Sequence, residues 1–156
     1  ELMRPLLDFT GYLQGKNQLT ALARPLSTLM ALAEALERAG LERATLHVAF
    51  AEQQMSASRY QSYVILVNEQ TDYFNQFARL SSADIQHQWQ LTQSQFENGA
   101  FIDLREQALA QQFDGDVTLW FMLATARMDR IYQLRSELCL QLLQQVDSEE
   151  QYTLNL

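Results

Sequence analysis

Lysine is almost absent from this chain: Lys16 stands alone beside ten arginines. Two prolines and five glycines leave few positions at which a helix could be broken or a tight strand turn built. A many-stranded fold is therefore excluded in favour of helices. Cys139 is the single cysteine, which rules out an intrachain disulfide and a cysteine metal cluster. It sits among Leu138, Leu140 and Leu142, where a small buried apolar side chain is expected. The two histidines, His47 and His87, form neither a His-x-x-x-His nor a Glu-x-x-His pair, so helical zinc and di-metal sites lack their ligands. Glycine-rich phosphate loops and Gly-x-Ser-x-Gly elbows are missing too. These absences predict no enzymatic activity, no metal and no cofactor.

Positive charge is also scarce. Nineteen acidic residues against eleven basic ones give a formal net charge of −8. Nucleic acid and anionic membranes reward basic surfaces, so direct contact with either is not expected. No apolar run reaches membrane-spanning length, and no signal peptide is recognisable. The sequence opens in mid-pattern at Glu1-Leu2-Met3, as expected of a segment cut from a longer protein. Its compartment stays open between a periplasmic receptor domain and a cytoplasmic regulator.

What is present points to helices. Apolar residues make up 47% of the 156, enough for one sizeable core. The expected fold is all-α, an antiparallel up-and-down four-helix bundle with long helices, forming one domain over residues 1–156. Pro5 suits a first turn carrying Leu6, Leu7, Phe9 and Leu13, interrupted at Gly15-Lys16-Asn17. A main helix is expected over 18–52, with Pro25 as a bend or as its true beginning. Ser56 or Ser58 caps a second helix reaching Arg79, its face built of Tyr60, Val64, Val67, Phe74 and Phe77 and widened by Ile65, Leu66 and Tyr73. Ser81-Ser82-Ala83-Asp84 starts a third helix carrying Ile85, Trp89 and Phe96, which Asn98-Gly99 stops or kinks. A shorter piece covers 101–113. Asp116 then caps a last helix that buries Val117, Phe121, Ala124, Met128, Ile131, Leu138 and Leu142 and ends near Val146. The polar tail from Asp147 is expected to fray or to continue further.

The chemistry concentrates on arginines. Leu22, Leu26, Leu29, Ala33, Leu36, Gly40, Arg43, His47 and Phe50 follow a four–three spacing, the rhythm of a bundled helix's buried edge. Arg43 continues that edge, and its guanidinium cannot shed its charge. It needs an anion, from a side chain or a ligand, unless helix rotation carries it to the surface. Gly40 allows close approach of a backbone or a ligand. His47, one turn on, is either a second donor or a core histidine satisfied by a carbonyl. Arg105, between Ile102 and Leu109 on one face, and Arg127, aligned with Trp120, Ala124 and Ile131, are further candidates. Two such forks converging in a low-dielectric core suit a small planar oxyanion; the alternative for each is a solvated or salt-bridged side chain. Glu42 reads as an orienting partner for Arg43 or as a surface residue, and Trp120-Phe121 as a core anchor.

The stretch Leu32-Ala33-Glu34-Ala35-Leu36-Glu37-Arg38-Ala39-Gly40-Leu41-Glu42-Arg43-Ala44, followed by Phe50-Ala51, resembles the Gly-x-Glu-Arg-Ala signature of the nitrate- and nitrite-sensing (NIT) domain family. Gln70, Tyr73 and Phe77 match its Gln-x-x-Tyr/Phe-x-x-x-Phe region, and Arg105 falls where the family carries a basic position. Trp120-Phe121-x-x-x-Thr125-x-Arg127-Met128-Asp129 is similar to its Trp-Phe-x-x-x-Thr-x-Arg-Ile-Asp. The likeness covers about residues 6–146 and matches the second of the family's two bundles. It implies an all-helical sensor in bacterial signalling proteins, binding nitrate or nitrite through arginines between two bundles. The implied ligand residues here are Arg43 and, more distantly, Arg105. The first bundle carries a ligand-contacting arginine of its own. The implied partners are therefore a small inorganic anion, a first bundle or a second copy of this chain, and a downstream output domain. The competing expectation is a structural or interaction bundle in which Glu34, Glu37 or a facing acidic residue neutralises Arg43; a third keeps the architecture and senses another small anion.

Overall fold

A computed structural model describes residues 16–154, with side-chain detail over 20–148. Five helices make up the described chain: α1 Lys16–Glu52, α2 Ala57–Leu80, α3 Ala83–Ser94, α4 Ala100–Leu109 and α5 Val117–Leu154. The expected helical start at Pro5 and residue Gly15 lie outside the described residues, while Lys16 and Asn17 already belong to α1. Pro25 sits inside α1 without ending it.

The breaks follow local chemistry. Ser56 caps α2, its hydroxyl accepting from Arg59 N, and Ser82 caps α3 by accepting from Ile85 N. Asp116 Oδ1 accepts from both Thr118 N and Leu119 N at 2.9 Å and so starts α5. Three boundaries differ from expectation. α3 ends at Ser94, so Phe96 and Asn98-Gly99 lie beyond it. α4 stops at Leu109 rather than 113, where Gln111 takes a positive φ of 60°. α5 continues past Val146 to Leu154, so the tail from Asp147 extends the helix.

Side-chain contacts set the helix directions. Near the start of α1, Arg24 Nε donates to the Leu80 carbonyl at 2.9 Å, and further along Glu42 meets Gln70, so α1 and α2 run antiparallel. Gly40 faces Met128, Arg43 meets Thr125 and His47 meets Phe121, which makes α1 and α5 antiparallel as well. Three apolar clusters line the stack. One joins Leu22 and Leu29 to Leu142 and Val146. A second holds Ala35, Leu36, Phe74, Phe77, Trp89 and Ile131, and a third holds Leu46, Phe50, Tyr63, Phe101, Trp120 and Ala124.

Several expected core positions face outward. Phe121 is 43% exposed, and Ile65 and Leu140 are exposed too, while Val117, Leu138 and Cys139 are only half-buried. Trp120, by contrast, is fully enclosed between Phe50 and Phe101. The expected seam on α1 is buried at Leu22, Leu29, Leu36 and Phe50, but the helix buries a further stripe beside it. That stripe runs through Thr28, Ala31, Leu32, Ala35, Ala39, Glu42, Leu46 and Ala49, leaving Gly40 and Arg43 half-buried and His47 exposed. α1 packs against both α2 and α5, so its buried face is wide, and the four–three spacing follows only the edge toward α5.

Gly115 packs closely in the turn before α5. A Cβ there would lie 2.7 Å from Leu104 Cδ2 and 3.0 Å from Phe50 Cε1, whereas one on Gly40 would meet Met128 Cε at 3.4 Å. Gly115→Ala should therefore cost about 1–3 kcal/mol, and mid-helix Gly40→Ala should gain up to about 1 kcal/mol. Urea unfolding of the two variants checks the contrast.

Candidate functional site

Between the second and third apolar clusters lies one polar layer. α1 contributes Glu42, 1% exposed, and α2 contributes Gln70, also buried. Arg105 from α4 and Arg127 from α5 complete it. Arg105 grips Glu42 with both arms of its fork, Nε donating to Oε1 at 2.6 Å and Nη2 to Oε2 at 2.5 Å. Gln70 Nε2 donates to Glu42 Oε2 at 2.7 Å. The Gln70 carbonyl oxygen accepts from Arg127 Nη1 at 2.9 Å and from Arg105 Nη2 at 3.2 Å. Four helices thus meet through four side chains.

Electrostatics divides the two arginines. Burial opposes ionisation of Glu42, yet the charge and hydrogen bonds of Arg105 outweigh it and hold the carboxyl below its usual range. Burial likewise works against the Arg105 charge, but Glu42 more than offsets it and raises its pKa. Arg127 has no such partner. Burial first, and then the like charge of Arg105, push it down to about 10, with only partial relief from the more distant charges of Glu42 and Glu97. It still carries a full charge at neutral pH. Its guanidinium stacks 5.1 Å from the ring centroids of both Phe74 and Phe101. Two guanidiniums therefore share one buried carboxylate. A cleft of about 210 Å³ opens beside them, with Phe74, Trp89, Phe96 and Phe101 among its walls.

The remaining candidates occupy a different place. Arg43 donates to Thr125 Oγ1 at 2.9 Å and lies 4.9 Å over the Phe121 ring, which also packs edge-on against His47 at 5.4 Å. The Arg43 backbone carbonyl accepts from Trp120 Nε1 at 3.0 Å. Gly40 is one turn away, opposite Met128. So Arg105 and Arg127 converge, whereas Arg43, His47 and Gly40 line the α1–α5 edge. Glu34 pairs with Arg38 rather than Arg43, and among the described residues no carboxylate lies within ion-pair reach of Arg43. His47 is exposed against Phe121, not a core histidine held by a carbonyl. Glu42 is neither at the surface nor beside Arg43.

The model of the nitrate and nitrite sensing (NIT) family matches residues 1–143. The chain belongs to this family. No curated protein and no solved structure matches it. The NIT family is a sensor family, which gives the domain a nitrate- or nitrite-sensing character without assigning any residue a role. Among the described residues no helix is long and apolar enough to cross a membrane, and no group of three or more His, Cys, Asp or Glu side chains is placed to hold a metal.

Sequence reasoning missed Glu42 and Gln70 as site residues. The signal for Glu42 was present: Ala35, Ala39, Glu42 and Leu46 share helical spacing, but alanines mark a buried face weakly. Removing the carboxylate by Glu42→Ala should cost about 3–5 kcal/mol, because buried Arg105 loses its ion-pair partner. Since folding lowers the Glu42 pKa, its stabilisation is complete above the ordinary glutamate range and disappears as pH falls through the folded value. Denaturant unfolding across acid pH should show that loss in the wild type and a flatter profile in Glu42→Gln.

Proposed function

We propose that this NIT domain is the ligand-binding sensor module of a bacterial signalling protein, taking up nitrate or nitrite at the Arg105–Arg127 layer. The observation that carries this reading is the charge imbalance: two guanidiniums converge on Gln70, and of the two only Arg105 is bonded to a carboxylate among the described residues. A monovalent planar oxyanion beside Arg127 would supply the missing charge through charge-assisted hydrogen bonds. Nitrate has little surface to bury, so its affinity rests on preorganised donors. Glu42 and Gln70 provide that preorganisation.

In this reading α3 and α4 together fill the fourth position of an antiparallel four-helix bundle. Ligand entry redistributes hydrogen bonds among groups carried by α1, α2, α4 and α5. α5 continues from Arg127 to Leu154, roughly 40 Å of helix at 1.5 Å per residue, and relays the change toward an output domain. Arg43, His47 and Gly40 offer the half-exposed α1–α5 edge to a first bundle or a second copy of this chain.

The competing reading, a purely structural bundle, has the bidentate Arg105–Glu42 pair in its favour, since that arginine is satisfied without a ligand. Thermal unfolding with nitrate, nitrite and chloride at matched ionic strength separates the two. At a hundredfold excess over Kd the ligand should stabilise by about 2.7 kcal/mol, a Tm rise of several degrees that chloride does not match. Arg127→Met should remove the rise and leave the unliganded domain at least as stable. A full nitrate response in Arg127→Met would overturn the proposed site.

A further inference from the structure

Nitrate has four heavy atoms, and the cleft beside Arg127 is larger than it needs. A buried water requires at least about 10–15 Å³ of cavity, and this cleft measures about 210 Å³. It also falls short of the roughly 300 Å³ at which pockets for drug-sized ligands begin. Four aromatic side chains line it among polar ones. Phe74 stacks on Trp89 at 4.6 Å, Phe101 lies under Arg127, and Phe96 meets Phe101 edge-on at 6.0 Å. Those aromatic faces gain nothing from a bare inorganic anion but favour a flat apolar body.

Charge narrows the choice further. Arg127 faces the cleft without a carboxylate bonded to it among the described residues, which suits a single negative charge there. Glu97 lines the cleft, on the exposed side, and would repel a second carboxylate there. We infer that this cleft binds a small monocarboxylate with a compact apolar body, its carboxylate on Arg127 and Arg105 and its body against Phe74, Trp89, Phe96 and Phe101. The inference rests on the anion site proposed above, because nitrate and carboxylate present the same planar pair of oxygens to a guanidinium.

Calorimetric titration of the protein with nitrate, acetate, benzoate and phthalate tests it. Benzoate should bind at least about tenfold more tightly than acetate through its buried ring. It should compete with nitrate, and phthalate should bind more weakly than benzoate. Gln93→Trp, which adds bulk at a cleft-lining side chain that bonds neither arginine, should weaken benzoate at least tenfold and leave nitrate unchanged. Wild-type competition gives the same answer if that variant does not fold. Nitrate binding with benzoate no tighter than acetate would overturn this inference and leave the nitrate site standing. Benzoate binding that survives Arg127→Met would overturn it as well. Absence of binding by every anion would remove both proposals together.

Discussion

Glu42 is the group on which the interior of this domain depends. It is a carboxylate taken almost wholly out of water on the longest buried stripe of α1. Desolvating such an ion costs several kcal/mol, recovered only when every oxygen has a good donor. Here three donors converge on two oxygens, two from Arg105 and one from Gln70. That requirement fixes α4 and α2 against α1 with a geometry that interchangeable apolar contacts would not specify. Slipping α2 by one residue would take from Glu42 one of its three donors and leave a buried amide unpaired.

The layer also has a cost that its own residues do not relieve. Arg127 enters from α5 and finds only the carbonyl oxygen of Gln70 and the faces of two phenylalanines. Cation–π contact stabilises it modestly, yet the like charge of Arg105 opposes it. An empty site of this kind stands higher in energy than a filled one. A ligand that binds the filled arrangement better shifts the population toward it, and only its differential affinity does the shifting. In the proposed reading, Arg127 sits on a helix that continues to Leu154 and would give that shift a mechanical outlet.

Helix content, helix order and most caps were legible in the sequence, because serine and aspartate caps and the scarcity of glycine and proline act locally. Ser56, Ser82 and Asp116 all cap as their sequence surroundings indicate. Arg105 and Arg127 were legible as candidates for the same reason: each shares a face with apolar neighbours. Their convergence was not, since it depends on how four helices rotate against one another. The seam through Arg43 shows why. Adjacent residues point about 100° apart on a helix, and a helix with two packing partners can bury both edges of a wide face. The apolar spacing marked one edge through Gly40 and Arg43, while the deeper one ran through alanines and Glu42, which the sequence reading placed beside Arg43 or at the surface. Phe121 misled in a related way, since a large apolar residue next to Trp120 need not share its side.

The central claim is that Arg127, with Arg105, is the anion-binding pair and that Arg43 belongs to a separate edge. Nuclear magnetic resonance of guanidinium Nε–H groups in protein labelled with ¹⁵N-arginine reads it directly. Arg105 and Arg127 should give protected, slowly exchanging signals, and nitrate should displace them while Arg43 moves little in this chain alone. Displacement of the Arg43 signal with Arg105 and Arg127 unmoved would contradict the account and place the ligand on the α1–α5 edge.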